Sequence, residues 1–192
     1  MAPADPAAPD DAPATIRLAT PNDAEAISDA HIRGWQVAYR GIVPDAVLDG
    51  MAMDRRIAWW RTHLAERAAD DPARAWVIET ASEGVVGFAH AGPARDESAV
   101  PPKGAGEVYA IYLRPECRRR GLGRALFAHT VTDLVERDFD PIVVWVLEAN
   151  ADTRHFYEAA GFQVDGARHD IDFSGDVVPE VRYVRAARPG PA

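Results

Sequence analysis

The sequence has few cysteines and no long hydrophobic segment, and both absences restrict what the protein can be. Cys117 is the single cysteine among 192 residues, which excludes an internal disulfide bond and a cysteine-based metal site. It lies beside three arginines, so it is either a reactive thiol or a small filler at a strand end. No apolar run reaches the about 18 residues that suggest a membrane-spanning helix. The N-terminus also lacks the positive region and apolar core of a secretory signal, so we expect a soluble, cytoplasmic protein with no membrane partner.

The chain also lacks a basic surplus and the motifs of several enzyme classes. Its formal net charge is −9, with 30 acidic and 21 basic residues, whereas a nucleic-acid-binding protein needs a basic surface to neutralise phosphates. No G-x-x-x-x-G-K-[ST] string is present, which argues against a nucleoside triphosphatase, and no HExxH spacing suggests a metal site. We therefore expect no nucleic-acid partner and no metal. The acidic surface favours a cationic substrate such as an amine.

Large apolar residues are scarce at the N-terminus. Residues 1–14 contain four prolines, three aspartates and no large apolar side chain after Met1, so they cannot bury enough surface to fold. The chain as a whole is 47% hydrophobic, which suits one globular domain with a buried core and leaves no room for a second. We predict a disordered tail at 1–14, one folded domain at 15–186 and a flexible C-terminal tail at 187–192.

The most informative segment is the arginine–glycine loop, RRRGLGR, at residues 118–124. It follows an apolar strand at 107–113 and opens a helix at 122–136. Gly121 and Gly123 allow the backbone to approach a ligand closely, and the first N–H groups of a helix are unpaired and carry positive dipole charge. Four side chains add full positive charges around them: Arg118, Arg119, Arg120 and Arg124. The loop therefore predicts a binding site for a pyrophosphate-bearing ligand.

The hydrophobic pattern predicts seven strands and four helices along the chain. The predicted strands are 14–19, 75–80, 85–91, 107–113, 142–149, 162–173 and 177–186. The predicted helices are 21–41, 44–64 with room for a break after Met51, 122–136 and 152–160. The strand, helix and strand between 107 and 149 form a unit with parallel strands. A connector at 92–106, rich in proline and glycine, is long enough to be functional.

Two motifs in this order resemble the GCN5-related N-acetyltransferase family. Its hallmark is an Arg/Gln-x-x-Gly-x-Gly/Ala loop between the fourth strand and the third helix, matched here by Arg118, Gly121 and Gly123. The segment VLEANADTRHFYEAAGF, with Asn150 and Tyr157, resembles the family's fifth strand and fourth helix. The resemblance covers nearly the whole chain. It implies a single-domain α/β (α+β) fold with a mixed, mostly antiparallel seven-stranded sheet flanked by four helices.

The resemblance also implies acetyl-CoA as the cosubstrate. The fourth and fifth strands would part to admit its pantetheine arm, and the main chain of Ile111, Tyr112 and Leu113 would pair with that arm. The pyrophosphate would lie on the loop, and Asn150 would contact the cosubstrate near the thioester. The implied cosubstrate-binding residues of the loop are Arg118, Arg119, Arg120, Gly121, Leu122, Gly123 and Arg124.

Catalytic residues follow from the chemistry of acetyl transfer to an amine. The reaction needs a neutral nitrogen and a proton for the departing thiolate. The resemblance implies Tyr157 as the acid, and Glu107 is our candidate base, acting through a water. Each has a plainer interpretation, since Tyr157 also fits a core position, Glu107 a solvated strand end and Asn150 a helix cap. Three aromatic residues would wall the acceptor site or pack in the core: Trp35, Tyr39 and Tyr109.

Several functional alternatives remain open at this point. A catalytically silent acyl-CoA-binding sensor would retain the loop without transfer. A dinucleotide-binding module is disfavoured because Leu126 occupies the position of the third glycine in GxGxxG. For an enzyme we expect direct transfer in a ternary complex, without a covalent acetyl-enzyme. The acceptor is a small-molecule or peptide amine, and the C-terminal strands are candidates for pairing in a homodimer.

Overall fold

In the computed structural model, which describes residues 14–67, 71–95 and 102–186, the chain forms one seven-stranded sheet. The strand order is β1-β2-β3-β4-β5-β7-β6, and every neighbouring pair is antiparallel except β4 and β5. The strands are β1 (Thr15–Leu18), β2 (Arg74–Thr80), β3 (Gly84–Pro93), β4 (Gly106–Leu113), β5 (Ile142–Leu147), β6 (Gln163–Phe173) and β7 (Asp176–Arg185). The predicted mixed, mostly antiparallel sheet with one parallel pair is confirmed.

The helices differ from the prediction in number. Within the described residues there are five rather than four: α1 (Ala24–Ala38), α2 (Asp45–Asp49), α3 (Met53–Ala65), α4 (Leu122–Glu136) and α5 (Ala151–Ala159). The extra helix arises because the stretch predicted at 44–64 is divided. Ala52 takes an extended backbone, with φ −84° and ψ 115°, so the chain turns between Gly50 and Met53. None of these helices is long and apolar enough to cross a bilayer.

Some predictions fall on parts of the chain outside the described residues. The predicted tails at 1–14 and 187–192 lie there apart from Ala14, as do residues 96–101 of the predicted connector. The domain boundaries at 15 and 186 therefore stay a prediction.

Helices cover both faces of the sheet. On one face α1 and α3 pack against Val77 and Phe88, and on the other α4 places Leu126 against Ile78. Val77 and Ile78 are neighbours in β2, so the alternation of side chains along a strand sends them to opposite sides. Coverage of both faces explains why β5 reads as a continuous apolar run, IVVWVL.

The parallel pair is short, and this opens the centre of the sheet. β4 and β5 are paired only at Gly106 with Ile142 and at Glu107 with Val143. Both strands continue well beyond that point, to Leu113 and to Leu147. Because the two strands separate after Glu107, the remaining edge of β4 that faces β5 has no strand partner among residues 14–67, 71–95 and 102–186. The other edge of β4 is paired with β3 from Gly106 to Leu113, with one register shift at Tyr109.

Cys117 is a buried residue at the end of the turn after β4. Its side chain is fully buried in the cluster that holds Leu126, and its thiol lies 3.4 Å from a carboxylate oxygen of Glu83. Burial and the hydrogen bond with Glu83 raise the thiol pKa to about 11, despite the neighbouring arginines. The thiol is therefore protonated at neutral pH, which favours the small filler over the reactive nucleophile.

Candidate active site

A large cavity of about 570 Å³ occupies the opening between β4 and β5. Its walls come from the end of α1, from residues 108–113 of β4, from the arginine–glycine loop, from β5 and from α5. The cavity therefore joins the unpaired edge of β4 to the N-terminus of α4. Nine of the predicted cosubstrate-binding residues line it: Ile111, Tyr112, Leu113, Arg118, Arg119, Gly121, Gly123, Arg124 and Tyr157.

The arginine–glycine loop presents backbone N–H groups to this cavity. Gly121 is the N-cap residue of α4 and has φ +80°, and Arg119 has φ +61°. No atom of the described residues lies within 4 Å of the position of a Cβ atom at Gly121, so the dihedral angle rather than space favours glycine there. Within the described part of the chain no side chain caps the helix, and its first turn contains no acidic residue. The first N–H groups of α4 are thus left for an anion.

The four arginines of the loop are not equivalent. Arg118, Arg119 and Arg124 are exposed and line the large cavity. Arg120 instead forms an ion pair with Glu83, with 2.6 Å between Nη1 and Oε2, and is not part of the lining. Leu122 packs with the core cluster of Leu126. Three of the four predicted positive charges therefore surround the cavity. Leu122 is placed to contribute its backbone N–H group to anion binding.

Tyr157 is both a core residue and part of the cavity wall. Its side chain is 5% exposed, and its ring lies 5.4 Å from that of Phe127 between centroids. The two interpretations from sequence are therefore compatible. Burial raises the pKa of the Tyr157 hydroxyl, and electrostatic interactions with Tyr39 and then with Glu180 raise it further. The hydroxyl consequently keeps its proton across the neutral and moderately alkaline range.

Asn150 caps α5. Its Oδ1 accepts a hydrogen bond from the backbone N–H of Thr153 at 3.2 Å, and the residue is 6% exposed. Its Nδ2 is buried and has no hydrogen-bond partner among the described residues. Asn150 is not part of the lining of the large cavity. The cap is therefore present in the structure, and the contact with the cosubstrate stays a prediction.

A small cavity of about 130 Å³ adjoins the large one. The two share five wall residues: Tyr39, Val108, Tyr109, Tyr112 and Trp145. Trp35 and Glu107 also line the small cavity, so the predicted base and all three predicted acceptor-site aromatics meet there. The hydroxyls of Tyr39 and Tyr112 lie 2.8 Å apart and tie α1 to β4.

Glu107 is held in an ion pair with Arg95. The carboxyl group is almost fully buried, and it accepts hydrogen bonds from the Arg95 backbone N–H at 2.9 Å and from its Nε at 3.1 Å. The guanidinium Nη2 makes a third hydrogen bond to the same carboxylate. Glu107 is therefore neither the solvated residue of the plainer interpretation nor a carboxylate with a free oxygen.

Comparison with known proteins identifies the family. A family model described as "Acetyltransferase (GNAT) family" matches residues 35–162, which include the end of α1, β4, the loop and all of α5 with Tyr157. The chain belongs to the GNAT acetyltransferase family. This confirms the resemblance that the two sequence motifs carry.

GNAT relatives align over most of the chain. It is 32% identical over 145 residues to the uncharacterized N-acetyltransferase YuaI of Bacillus subtilis, covering 76% of this chain and 78% of the relative. It is 27% identical over 183 residues to a Mycobacterium tuberculosis protein named as a probable N-acetyltransferase, covering 91% and 96%. The PaiA N-acetyltransferase of Thermoplasma acidophilum, solved in complex with coenzyme A, matches with a TM-score of 0.66. That match covers 88% of this chain and 98% of the other at 17% identity, which shows a shared GNAT fold.

Sequence reasoning missed the wall that β6 and β7 give to the small cavity of this GNAT protein. His169, Ile171 and Phe173 of β6 and Glu180 of β7 line it, together with Trp145 of β5. The first three are two residues apart, so they lie on one face of the strand. That alternation is visible in the sequence as HDIDF. Which partners the face meets depends on pairing with β7, which the sequence alone does not provide.

The Glu107–Arg95 ion pair predicts a specific loss of stability. Glu107→Gln should lower the free energy of unfolding by about 1–3 kcal/mol, because the buried amide accepts hydrogen bonds at one oxygen only and turns an NH₂ group toward the Arg95 donors. Urea denaturation followed by circular dichroism measures this. The matched control is Glu116→Gln, which breaks an exposed two-bond pair with Arg33 and should leave the denaturation midpoint unchanged. Equal midpoints for both variants would show that the buried pair does not stabilise the fold.

Proposed function

We propose that the protein transfers an acetyl group from acetyl-CoA to a primary amine by direct attack in a ternary complex. The observation that carries this proposal is the early end of the β4–β5 pairing, which opens a cavity of about 570 Å³ toward the arginine–glycine loop. That volume lies within the about 300–1,000 Å³ of pockets that bury a sizeable ligand. The relatives named as N-acetyltransferases and the neighbour solved with coenzyme A support the same reaction.

The residues present fit acetyl-CoA. An unpaired strand edge at Ile111, Tyr112 and Leu113 can take the amides of an extended arm as an added strand. The open N–H groups at the start of α4, with Arg118, Arg119 and Arg124 around them, suit a pyrophosphate. When bound, acetyl-CoA would supply the acetyl group as a thioester.

Tyr157 is our proposed acid. It lies in the wall of the large cavity, and its raised pKa keeps a proton available for a departing thiolate. Asn150 is proposed to use its unpartnered Nδ2 on the cosubstrate. Glu107 lies in the small cavity next to the large one and remains a candidate base, although both of its oxygens accept hydrogen bonds from Arg95.

Direct transfer agrees with the position of the single cysteine. A covalent acetyl-cysteine would require Cys117, which is fully buried, carries a raised thiol pKa and is not part of either cavity wall. We therefore propose that the amine attacks the thioester itself, with the acceptor entering from the small cavity.

Steady-state kinetics with defined amines tests the proposed function. We expect release of the CoA thiol from acetyl-CoA to depend on an added primary amine, tested with ethylamine, alanine amide and the peptide Ala-Ala-Ala. The double-reciprocal plots for the two substrates should intersect, and mass spectrometry should find the acetyl group on the amine. Parallel plots with an acetylated protein would contradict direct transfer. Acetyl-CoA binding with no transfer to any amine would instead indicate an acyl-CoA sensor.

A further inference from the structure

Two side chains of the C-terminal hairpin form a polar pair in the wall of the small cavity. His169 of β6 and Glu180 of β7 are direct cross-strand partners, and Nε2 of His169 lies 3.1 Å from Oε2 of Glu180. Each side chain is only 17% exposed. Both residues line the small cavity. The pair therefore borders the small cavity, next to the β4–β5 opening, and is largely shielded from bulk water.

The hydrogen bond with Glu180 leaves one imidazole nitrogen unused. When Nε2–H donates to the carboxylate, Nδ1 carries the lone pair of the neutral ring. Nδ1 is buried and has no hydrogen-bond partner among the described residues. The ring is held against Trp145, with 4.4 Å between centroids. Four other histidines also have a buried ring nitrogen without a partner among the described residues, so His169 is set apart by its place in a cavity wall.

The other titratable groups near this cavity are already engaged. Glu107 is bound by Arg95, and Tyr39 shares a hydrogen bond with Tyr112. The guanidinium of Arg182 lies over the ring of Trp145 and forms an ion pair with Asp165. The charge of Glu180 also acts on the Tyr157 hydroxyl, which links this pair to the proposed acid.

We propose that the acceptor amine binds in the small cavity and that His169, oriented by Glu180, takes its proton. The inference rests on the proposed acetyl transfer and names the acceptor class and a catalytic residue for it. A cavity of about 130 Å³ is well below the about 300–1,000 Å³ that drug-sized ligands fill. The amine-bearing end of the acceptor is accordingly small, as in a short aliphatic primary amine.

The proposed step balances in protons and bonds. A small turn of the imidazole ring on binding would bring the buried Nδ1 of His169 to the alkylammonium ion, which gives it one proton. The ring passes this proton to solvent, and the Glu180 carboxylate stabilises the imidazolium. The neutral nitrogen then forms the C–N bond to the acetyl carbon, and the C–S bond breaks. The thiolate takes the proton of Tyr157, and the second proton lost by the nitrogen restores that hydroxyl. The products are the acetamide, the thiol and one released proton.

Two amines of similar size distinguish a role of His169 as proton acceptor from a purely structural role. Ethylamine is almost entirely protonated at neutral pH, whereas 2,2,2-trifluoroethylamine is mostly neutral and needs no base before attack. His169→Gln should lower kcat/KM about 100-fold with ethylamine, within the range for loss of a general base. With trifluoroethylamine the loss should be much smaller. Glu180→Gln, which removes the charge but keeps an acceptor for Nε2–H, should fall between wild type and His169→Gln.

Controls distinguish a failure of this inference from a failure of the proposed function. His155→Gln, at an exposed position of α5, should match wild type with both amines. Calorimetry should give the same acetyl-CoA affinity for wild type and His169→Gln. Equal losses with both amines, unchanged rates, or wild-type transfer to Ala-Ala-Ala but not to ethylamine would overturn the inference. Failure of wild type to bind acetyl-CoA would overturn the proposed function itself.

Discussion

Gly121→Asp is expected to lower acetyl-CoA affinity at least about 100-fold, since like charges in contact cost several kcal/mol and 1.4 kcal/mol is a factor of ten. The aspartate would place a negative charge at the N-terminus of α4, where the proposed pyrophosphate lies. Its side chain would also occupy the surface that glycine leaves open, because no described residue comes within 4 Å of a Cβ atom there. Titration calorimetry with acetyl-CoA measures the loss.

The control for this variant must reproduce its backbone strain. Gly121 has φ +80°, so any other residue is strained there by about 1–3 kcal/mol whatever its charge. Gly166 in β6 has φ +88°, with open space around it and no place in either cavity wall. Gly166→Asp should therefore bind acetyl-CoA as wild type does. If Gly121→Asp is folded by circular dichroism and binds acetyl-CoA with unchanged affinity, the loop is not part of the acetyl-CoA site.

Tyr157→Phe is expected to reduce kcat about 100-fold, within the range for removal of a general acid, and to leave the affinity for acetyl-CoA nearly unchanged. Phenylalanine keeps the ring that packs against Phe127 and removes only the hydroxyl. That hydroxyl makes no hydrogen bond to another residue in the described part of the chain, so the fold should tolerate its loss. Because burial and Glu180 raise the pKa, wild-type activity should show no loss from Tyr157 ionisation up to at least pH 10.

Tyr183→Phe is the matched control for the loss of a buried tyrosine hydroxyl. The Tyr183 ring lies 6.3 Å from that of Tyr157 in the same core cluster, but its hydroxyl bonds Arg154 and Glu158 and lines neither cavity. We expect Tyr183→Phe to retain wild-type kcat. Similar kcat values for Tyr157→Phe and wild type would remove Tyr157 from the mechanism, whatever the control shows.

Local signals allowed the sequence to predict the centre of the site. The helix predicted at 122–136 has the bounds of α4, and the strand predicted at 107–113 differs from β4 by one residue. The end of the strand and the start of the helix are marked by Pro115, Gly121 and the adjoining arginines, which lie within a few positions of one another. The loop between them could therefore be recognised without knowledge of the rest of the fold.

Long-range contacts could not be predicted in the same way. The partnership of Glu107 with Arg95 depends on where the connector after β3 returns, and that of His169 with Glu180 depends on strand register. The same limit applies to Arg120, whose ion pair with Glu83 comes from the β2–β3 turn. A sequence shows which residues are charged, whereas the partners that neutralise them are set by the packing of distant elements.

Calorimetric titration of the purified protein with acetyl-CoA, and with NAD as the comparison, tests the central claim most directly. Both ligands carry a pyrophosphate, but NAD lacks the arm that would pair with the edge of β4. Binding of acetyl-CoA alone, with an affinity that falls as salt is raised, is the result that the β4–β5 opening and the arginine–glycine loop predict. No binding of acetyl-CoA, or equal binding of NAD, would contradict the assignment of this cavity.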